Sequence, residues 1–319
     1  MAWRIRILRT GQWLVAVIVG AIFSALRLIP PARASDIGGA VASFLGPRIP
    51  RSDIARRQLR MAYPGISHAE VERITKGVWE NLGRTALEYP HLDKLWDYEL
   101  GRAPGAGRIE VEGIDYFLAL RESRRPTIIF TAHLANWELL AVCAAHYKLP
   151  VAVFFRRPNN PYINRLIGKI RGENMGTLLP TDIGGAISAA RLLDEGKHIG
   201  LLVDQHFSRG PALPFFGLPA HTAPTLARLA LQFNCAVHGA RVERLPHGRF
   251  RVSIEPAIAL PQEGTRDEKI VALMSEVNRT VERWVREHPE QWLWLHRRWR
   301  DAPKRPPKRR PAPKPKNPA

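Results

Sequence analysis

Strand and helix patterns alternate through most of the chain after residue 107. Strand patterns occupy 108–115, 126–133, 150–156, 177–180, 198–205 and 235–244, and helical patterns occupy 134–148, 160–176, 186–197 and 223–233. Strands separated by helices are typical of a parallel sheet covered on both faces. The sequence therefore predicts an α/β fold with a mostly parallel central sheet flanked by helices. In such sheets, ligands bind at the carboxyl ends of the strands.

A helical region precedes this part of the chain. From Ser52 to about Trp96, apolar residues recur three and four apart, with a break at Pro64-Gly65 and a restart at Ser67-x-x-Glu70. That spacing is the pattern of a capping box at a helix start. We predict a helical lead-in over 35–100 and an α/β body over 101–300, which together form one domain over 35–300.

The N-terminal segment 1–34 is predicted to be a membrane anchor. Its apolar run extends from Trp13 to Leu26, and 14 residues cover only about 21 Å as a helix, so the run is short for a membrane span. A cleaved signal peptide ending at Ala32-Arg33-Ala34 and a buried core helix are the alternatives. More arginines follow the run than precede it, which favours an uncleaved anchor with the body in the cytoplasm.

The chain is strongly basic, with 48 Lys and Arg against 29 Asp and Glu and a net charge of +19. The terminal segment 301–319 has seven prolines and seven basic residues, and it is predicted to be a disordered tail. Without the tail the net charge is still +13. An anionic partner is expected, such as a lipid surface, an acidic protein or nucleic acid. The two cysteines are far apart and apolar in context, which argues against a disulfide scaffold or a thiolate metal site.

A histidine ends the strand pattern at 126–133, and a glutamate follows five residues later. His133 and Glu138 are five residues apart, so on one helix they would face about 140° apart. They can meet only if His133 lies in the turn before the helix and Glu138 in its first turns. In that geometry a carboxylate orients an imidazole that deprotonates a hydroxyl. The alternative is a structural histidine near a helix N-terminus, with the glutamate placed there by the helix dipole.

Five ordered blocks resemble a known family. The stretch AHLANWELL resembles the H-x4-[DE] signature of glycerophospholipid-type acyltransferases, in the form seen in the late acyltransferases of lipid A biosynthesis. The blocks RRPNNPYINRLIGKIRGENMG, GLLVDQ, LPFFGLPAHTAPTLARLAL and PEQWLWLHRRWR are similar to further family segments and follow in the expected order. The resemblance extends from the anchor to Arg300 and leaves the tail outside.

The resemblance implies roles for individual residues. His133 is expected to be the general base and Glu138 its orienting partner. Arg171 and Asp204 match residues that the family needs for activity, and Arg171 is expected to bind an acceptor phosphate or to position the dyad. Arg156, Arg157 and Asn160 are expected to form an anion-binding rim, and Gln205 is expected to contact the substrate as well. Phe215 and Phe216 are expected to line a path for the acyl chain, or else to belong to the hydrophobic core.

The resemblance also implies a reaction. It is acyl transfer from an acyl carrier protein thioester to a hydroxyl of a lipid A precursor, on the cytoplasmic face of the bacterial inner membrane, without a metal or organic cofactor. Anionic membrane lipids are expected partners. Two alternatives stay open: another acceptor lipid (a lysophospholipid, an ornithine lipid or a glycosylated phosphoinositide), and a basic protein that tethers nucleic acid to the membrane. Only charge supports the second alternative, and nucleic acid is not an expected partner.

Overall fold

The computed structural model of the protein describes residues 2–101, 105–123 and 125–300, with side chains from residue 8 onward. The predicted tail at 301–319 lies outside the described residues. The chain begins with the helices α1 (Ala2–Leu26), α2 (Pro31–Leu45), α3 (Ser52–Ala62), α4 (His68–Glu88) and α5 (Leu92–Leu95). Within α1, the segment Leu8–Leu26 is mostly exposed, although Leu26 itself is buried, and it is long and apolar enough to cross a membrane.

The break between α3 and α4 has the predicted form. Gly65 lies in the turn after α3 and adopts a φ of +85°, a conformation that favours glycine. The Ser67 hydroxyl then accepts the backbone N–H of Glu70 at 3.1 Å, which confirms the predicted start of α4. The Glu70 carboxylate binds Arg73.

The body is the predicted α/β unit. Its elements are β1 (Ile109–Glu112), α6 (Ile114–Glu122), β2 (Thr127–Thr131), α7 (Glu138–His146), β3 (Val151–Phe155), α8 (Pro161–Asn174), β4 (Thr177–Pro180), α9 (Ile183–Asp194), β5 (His198–Leu202), β6 (Ala212–Phe215), β7 (Leu218–His221), α10 (Thr225–Phe233), β8 (Ala236–Leu245), β9 (Arg249–Ile258) and α11 (Arg266–Glu287). Seven strands form one sheet in the order β1-β9-β8-β2-β5-β3-β4. The fold class predicted from the sequence is confirmed.

Two strands of the sheet depart from the parallel arrangement, because β1 and β9 both run opposite to the other five. Strand β9 runs antiparallel to β8 and parallel to β1, and all other neighbours in the sheet are parallel. Strand β9, the β6–β7 hairpin and α11 were not predicted from the sequence. Strands β8 and β9 are joined by a tight connection at Pro246–Gly248, and such a hairpin must be antiparallel.

The helical lead-in shares a core with the sheet. Ala55 and Leu59 of α3 and Val71 and Ile74 of α4 belong to the same buried cluster as Phe130 of β2. This cluster also includes Trp284 of α11 and the terminal tryptophans Trp292, Trp294 and Trp299. The lead-in therefore packs against the body as part of one hydrophobic core.

Helices α2 and α4 approach each other through glycines. A Cβ atom added at Gly38 would lie 2.3 Å from the carbonyl oxygen of Gly83, so a side chain cannot be placed there without moving backbone. We expect Gly38→Ala to lower the free energy of unfolding by about 1–3 kcal/mol through overpacking. Gly168→Ala in α8, where the added Cβ meets nothing within 4 Å, is the control, and it should be neutral or slightly stabilising. Denaturant unfolding of both variants tests this, and equal effects would contradict it.

Candidate active site

Two adjacent strands bring His133 and Asp204 together. Thr131 at the end of β2 is paired with Leu202 at the end of β5, and the N–H of Val203 donates to the carbonyl oxygen of Thr131 at 3.0 Å. His133 and Asp204 each follow two residues after these strand ends. Both side chains therefore lie at the carboxyl edge of the sheet, where the sequence predicted a ligand site.

Asp204 holds His133 through both carboxylate oxygens. Oδ1 lies 2.8 Å from the imidazole Nδ1, and Oδ2 accepts the backbone N–H of His133 at 2.9 Å. The indole N–H of Trp292 also donates to Oδ2, at 2.8 Å. Burial alone would raise the pKa of Asp204, but His133 and these hydrogen bonds lower the pKa to about 2. The carboxylate therefore stays ionised at neutral pH and accepts the Nδ1–H of His133.

The second imidazole nitrogen faces the site. With Nδ1 bound to Asp204, Nε2 carries the lone pair, and Gln205 Nε2 lies 3.2 Å away. The ring of Trp137 packs edge-on against the imidazole with centroids 5.0 Å apart. A histidine held in this way can accept a proton at Nε2, because the carboxylate stabilises the resulting imidazolium.

Glu138 is not the carboxylate that holds His133. Its carboxylate forms a buried ion pair with Arg171, while both imidazole nitrogens of His133 have other partners. The expectation of a direct His133–Glu138 contact is therefore wrong. The physical reason is that Glu138 is the first residue of α7 and reaches the opposing helix α8, whereas Asp204 follows β5, the neighbour of the strand β2 that precedes His133.

Arg171 is held in place by more than its ion pair. Its guanidinium lies over the ring of Phe155 at 4.4 Å and over the ring of Tyr89 at 5.8 Å. Burial disfavours the charged form, but the Glu138 carboxylate outweighs that effect and raises the pKa of Arg171. The same surroundings, chiefly burial, raise the pKa of Tyr89. Arg171 is therefore a fixed cation in the wall of the site.

The turn between His133 and Glu138 is bound to helix α4. Ala135 adopts a φ of +46°, which is rare for a residue other than glycine. Its carbonyl oxygen accepts hydrogen bonds from Asn81 at 3.2 Å and from Thr85 at 3.1 Å, and its N–H donates to Gln291 at 3.1 Å. These contacts compensate for the unfavourable backbone conformation.

A buried carboxylate supports the same turn. Glu88 accepts hydrogen bonds from Asn136 Nδ2 at 2.8 Å and Ser35 Oγ at 2.6 Å, and it forms an ion pair with Arg244 of β8. Glu88 therefore connects α2, α4, the turn and the sheet.

A cavity of about 570 Å³ opens beside His133. It lies between the sheet and helices α7 and α8, and most of its lining is apolar. The apolar lining includes Ile129, Leu140, Ala144, Val153, Phe155, Met175, Leu178 and Leu201. Its polar lining includes His133, Glu138, Arg156, Arg171, Gln205 and His296. A predominantly apolar pocket with a few polar groups at one side is typical of a small-molecule site.

Several predicted contact residues lie elsewhere. Arg157 is exposed and does not line the cavity, whereas Arg156 does. Asn160 caps α8 by accepting the N–H of Tyr162 at 2.9 Å, and it donates to Gln12 of α1 at 2.8 Å. Its amide is thus used within the protein, so the expected substrate contact is replaced by a structural one.

Phe215 and Phe216 belong to the core. They are buried, and their rings pack against Trp292, Trp294 and Trp299. Neither ring lines the cavity beside His133, so this cavity gives no support to an acyl path along them. In the structure, Phe215 and Phe216 are part of the hydrophobic core, which was the alternative expectation.

Two residues near the site were not predicted from the sequence. Trp292, for which no role at the site was predicted, donates to Asp204. Arg298 is buried and donates to the carbonyl oxygen of His221 at 2.8 Å and to Thr222 Oγ1 at 2.7 Å. Burial lowers the pKa of Arg298 to about 10, so it stays charged at neutral pH. Both residues lie in the PEQWLWLHRRWR block, and its resemblance to the family was the feature of the sequence that could have indicated a role at the site.

Comparisons with known proteins indicate the family of this chain. A sequence model described as "Bacterial lipid A biosynthesis acyltransferase" matches residues 1–301. The lipid A biosynthesis palmitoleoyltransferase of Escherichia coli K12 is 25% identical over 284 residues, which cover 82% of this chain and 86% of that protein. The lipid A biosynthesis lauroyltransferase of the same organism is 25% identical over 317 residues, covering 95% and 96%. A lipid A biosynthesis acyltransferase of Haemophilus influenzae is 26% identical over 262 residues, covering 79% and 78%. The chain belongs to the bacterial lipid A biosynthesis acyltransferase family.

Proposed function

We propose that this protein transfers a fatty acyl group from an acyl carrier protein thioester to a hydroxyl of a lipid A precursor. The observation that carries the proposal is the Asp204–His133 pair beside a mostly apolar cavity. The pair supplies a base for a hydroxyl, and the cavity offers an apolar surface to a hydrocarbon chain. The names of the similar proteins identify lipid A as the class of acceptor.

The chemistry follows from the orientation of the imidazole. Nε2 of His133 takes the proton of the acceptor hydroxyl while the oxygen attacks the thioester carbonyl carbon. The tetrahedral intermediate then breaks its C–S bond, and the leaving thiolate receives the proton from the imidazolium. Asp204 stabilises the charged imidazole between these steps. Arg171, held by Glu138, places positive charge near the anionic oxygen of the intermediate or an acceptor phosphate.

The cavity is proposed to hold the acyl chain. Ala144 lines it on α7, six residues and thus about 9 Å along the helix from Glu138. We expect Ala144→Phe to fill that part of the cavity and to shift the preference towards shorter acyl donors. Competition between acyl carrier proteins with chains of different length measures the shift. Ala145→Phe is the control, because Ala145 neighbours it on α7 but does not line the cavity. An unchanged chain-length profile for Ala144→Phe would contradict this use of the cavity.

The acceptor is tested by direct comparison. Purified protein in mixed micelles would be offered an acyl carrier protein thioester together with a lipid A precursor or a lysophospholipid. We expect acylation of the sugar-linked precursor to be at least about tenfold faster in kcat/KM, a difference of about 1.4 kcal/mol in transition-state binding. A preference for the lysophospholipid, or for an ornithine lipid or glycosylated phosphoinositide in the same assay, would overturn the acceptor assignment.

The location is part of the proposal. We infer that α1 anchors the chain in the bacterial inner membrane with the body on the cytoplasmic face, where acyl carrier protein is available. The apolar and exposed segment Leu8–Leu26 supports membrane attachment, and the arginines that follow it support the cytoplasmic side. The basic body would attract both the acidic carrier protein and anionic lipids.

A further inference from the structure

Helix α2 exposes apolar side chains along one side. Ile37, Val41 and Phe44 are 49%, 52% and 63% exposed, and Leu45 beside them is 51% exposed. At 100° per residue, the first three fall within an arc of about 60°. We call Ile37, Val41, Phe44 and Leu45 the α2 stripe.

The stripe is separate from the face that packs on the protein. Gly38, Ser35 and Gly39 lie about 100–200° around α2 from Ile37 and are buried, and Gly38 touches α4 at Gly83. Ala34, in the first turn, is also buried but lies on the side of the stripe. A surface helix of a water-soluble domain normally presents polar residues opposite its buried face. Helix α2 instead has a second apolar side, which is typical of a helix with another partner.

The position of α2 along the chain indicates what covers its second apolar side. Helix α1 ends at Leu26 and α2 begins at Pro31, so their ends are at most about 18 Å apart. Leu8–Leu26 is the segment with the length and composition of a membrane span. A bilayer that contains α1 therefore has its surface close to the start of α2.

The charges around the stripe fit an anionic lipid surface. Arg33 and Arg48 are exposed near the two ends of α2, and the Arg48 guanidinium lies 4.4 Å over the ring of Phe44. The acidic residue of α2, Asp36, lies about 100° around the helix from the stripe and pairs with Arg84. An apolar side flanked by cations is the composition of helices that lie in a membrane interface.

We propose that α2 lies in the plane of an anionic bilayer surface, with the α2 stripe inserted at the boundary between headgroups and acyl chains. This inference depends on the proposed attachment of α1 to the same bilayer but not on the reaction. A single spanning helix leaves a domain free to rotate about the helix axis. The second contact removes that freedom and fixes the orientation of the domain relative to the lipid surface.

Site-specific fluorescence tests the inference. The full chain would carry a single added cysteine at Phe44→Cys, Ser43→Cys or Val17→Cys, labelled with the fluorophore NBD. The native Cys143 and Cys235 are buried, and burial raises the pKa of both thiols, so they resist labelling at neutral pH. Each protein is reconstituted into vesicles of phosphatidylethanolamine and phosphatidylglycerol that contain doxyl-labelled lipid. The unmodified chain measures background labelling.

The contrast between neighbouring positions decides the outcome. We expect quenching at position 44 to be about threefold stronger than at position 43, since an interfacial helix buries only one side by about 5–10 Å. Ser43 is the matched control, because it adjoins Phe44 and points about 100° away from it.

Equal quenching at 43 and 44, with strong quenching at 17, would overturn the inference while leaving α1 in the membrane. Weak quenching at all three positions would overturn membrane attachment as well. Concentration-dependent disulfide formation between unlabelled Phe44→Cys chains, without lipid quenching of the labelled chains, would identify a second copy as the partner instead.

Discussion

Replacing Asp204 by asparagine is expected to lower the rate of acyl transfer by about 10³- to 10⁴-fold, the scale seen when a catalytic histidine loses its orienting carboxylate. The amide keeps the size of the side chain but cannot stabilise an imidazolium. Trp292 and the His133 backbone N–H, which now donate to Oδ2, would also lose a charged acceptor. The measurement is single-turnover acyl transfer with purified protein.

Companion variants separate the roles of the two carboxylates. His133→Ala should lower the rate by at least about 100-fold, and His68→Ala, on an exposed side chain of α4, should leave it unchanged. Glu138→Gln should weaken the hold on Arg171 but leave the pH dependence of the base intact, because Glu138 does not contact His133. Near-normal activity of Asp204→Asn together with loss of activity in Glu138→Gln would contradict the proposed roles. That result would restore the His133–Glu138 dyad expected from spacing.

The largest expected effect on stability is at Glu88. Its side chain is 2% exposed and that of its partner Arg244 is 11% exposed. Glu88→Gln leaves the Arg244 cation without its carboxylate, and we expect a loss of about 3–5 kcal/mol in the free energy of unfolding. Glu70→Gln in the exposed pair with Arg73 is the control and should have little effect. Denaturant unfolding in detergent measures both.

A double variant keeps this prediction testable if Glu88→Gln fails to fold. Glu88→Gln combined with Arg244→Met removes both charges, and it should be more stable than Glu88→Gln alone. Strict additivity of the two single effects would contradict a buried, coupled pair.

The pH dependence at Glu88 has a defined sign. Burial would raise the pKa of Glu88, but Arg244, Ser35 and Asn136 outweigh it and hold the pKa below its ordinary value of 4.5. A carboxylate with a lowered pKa contributes stability above that ordinary value and loses it as the pH falls through the folded-state pKa. The unmodified protein should therefore lose stability below about pH 4.5 more steeply than Glu88→Gln.

Local pattern was enough to predict most of the α/β body. The elements β2, β3 and β5 and the helices between them lie where the alternation of apolar residues indicated, because that periodicity reflects which faces are buried. The periodicity of apolar residues did not lead to a prediction of β9, α11 or the β6–β7 hairpin. Of these, β9 takes its place in the sheet from its pairing with β1 and β8, which are distant from each other in sequence.

Some features of the site could likewise be predicted from the sequence, and others depended on the tertiary structure. The sequence by itself determined that His133 and Asp204 end strands of one sheet, and the order of the motifs indicated the family. Only the tertiary structure decided which carboxylate holds the imidazole, because the choice depends on β2 and β5 being neighbours in the sheet. Spacing in the sequence favoured Glu138, but a distance of five residues along the chain does not specify a contact. Likewise, Phe215 and Phe216 are apolar in any context, and only packing against Trp292, Trp294 and Trp299 makes them core instead of an acyl path.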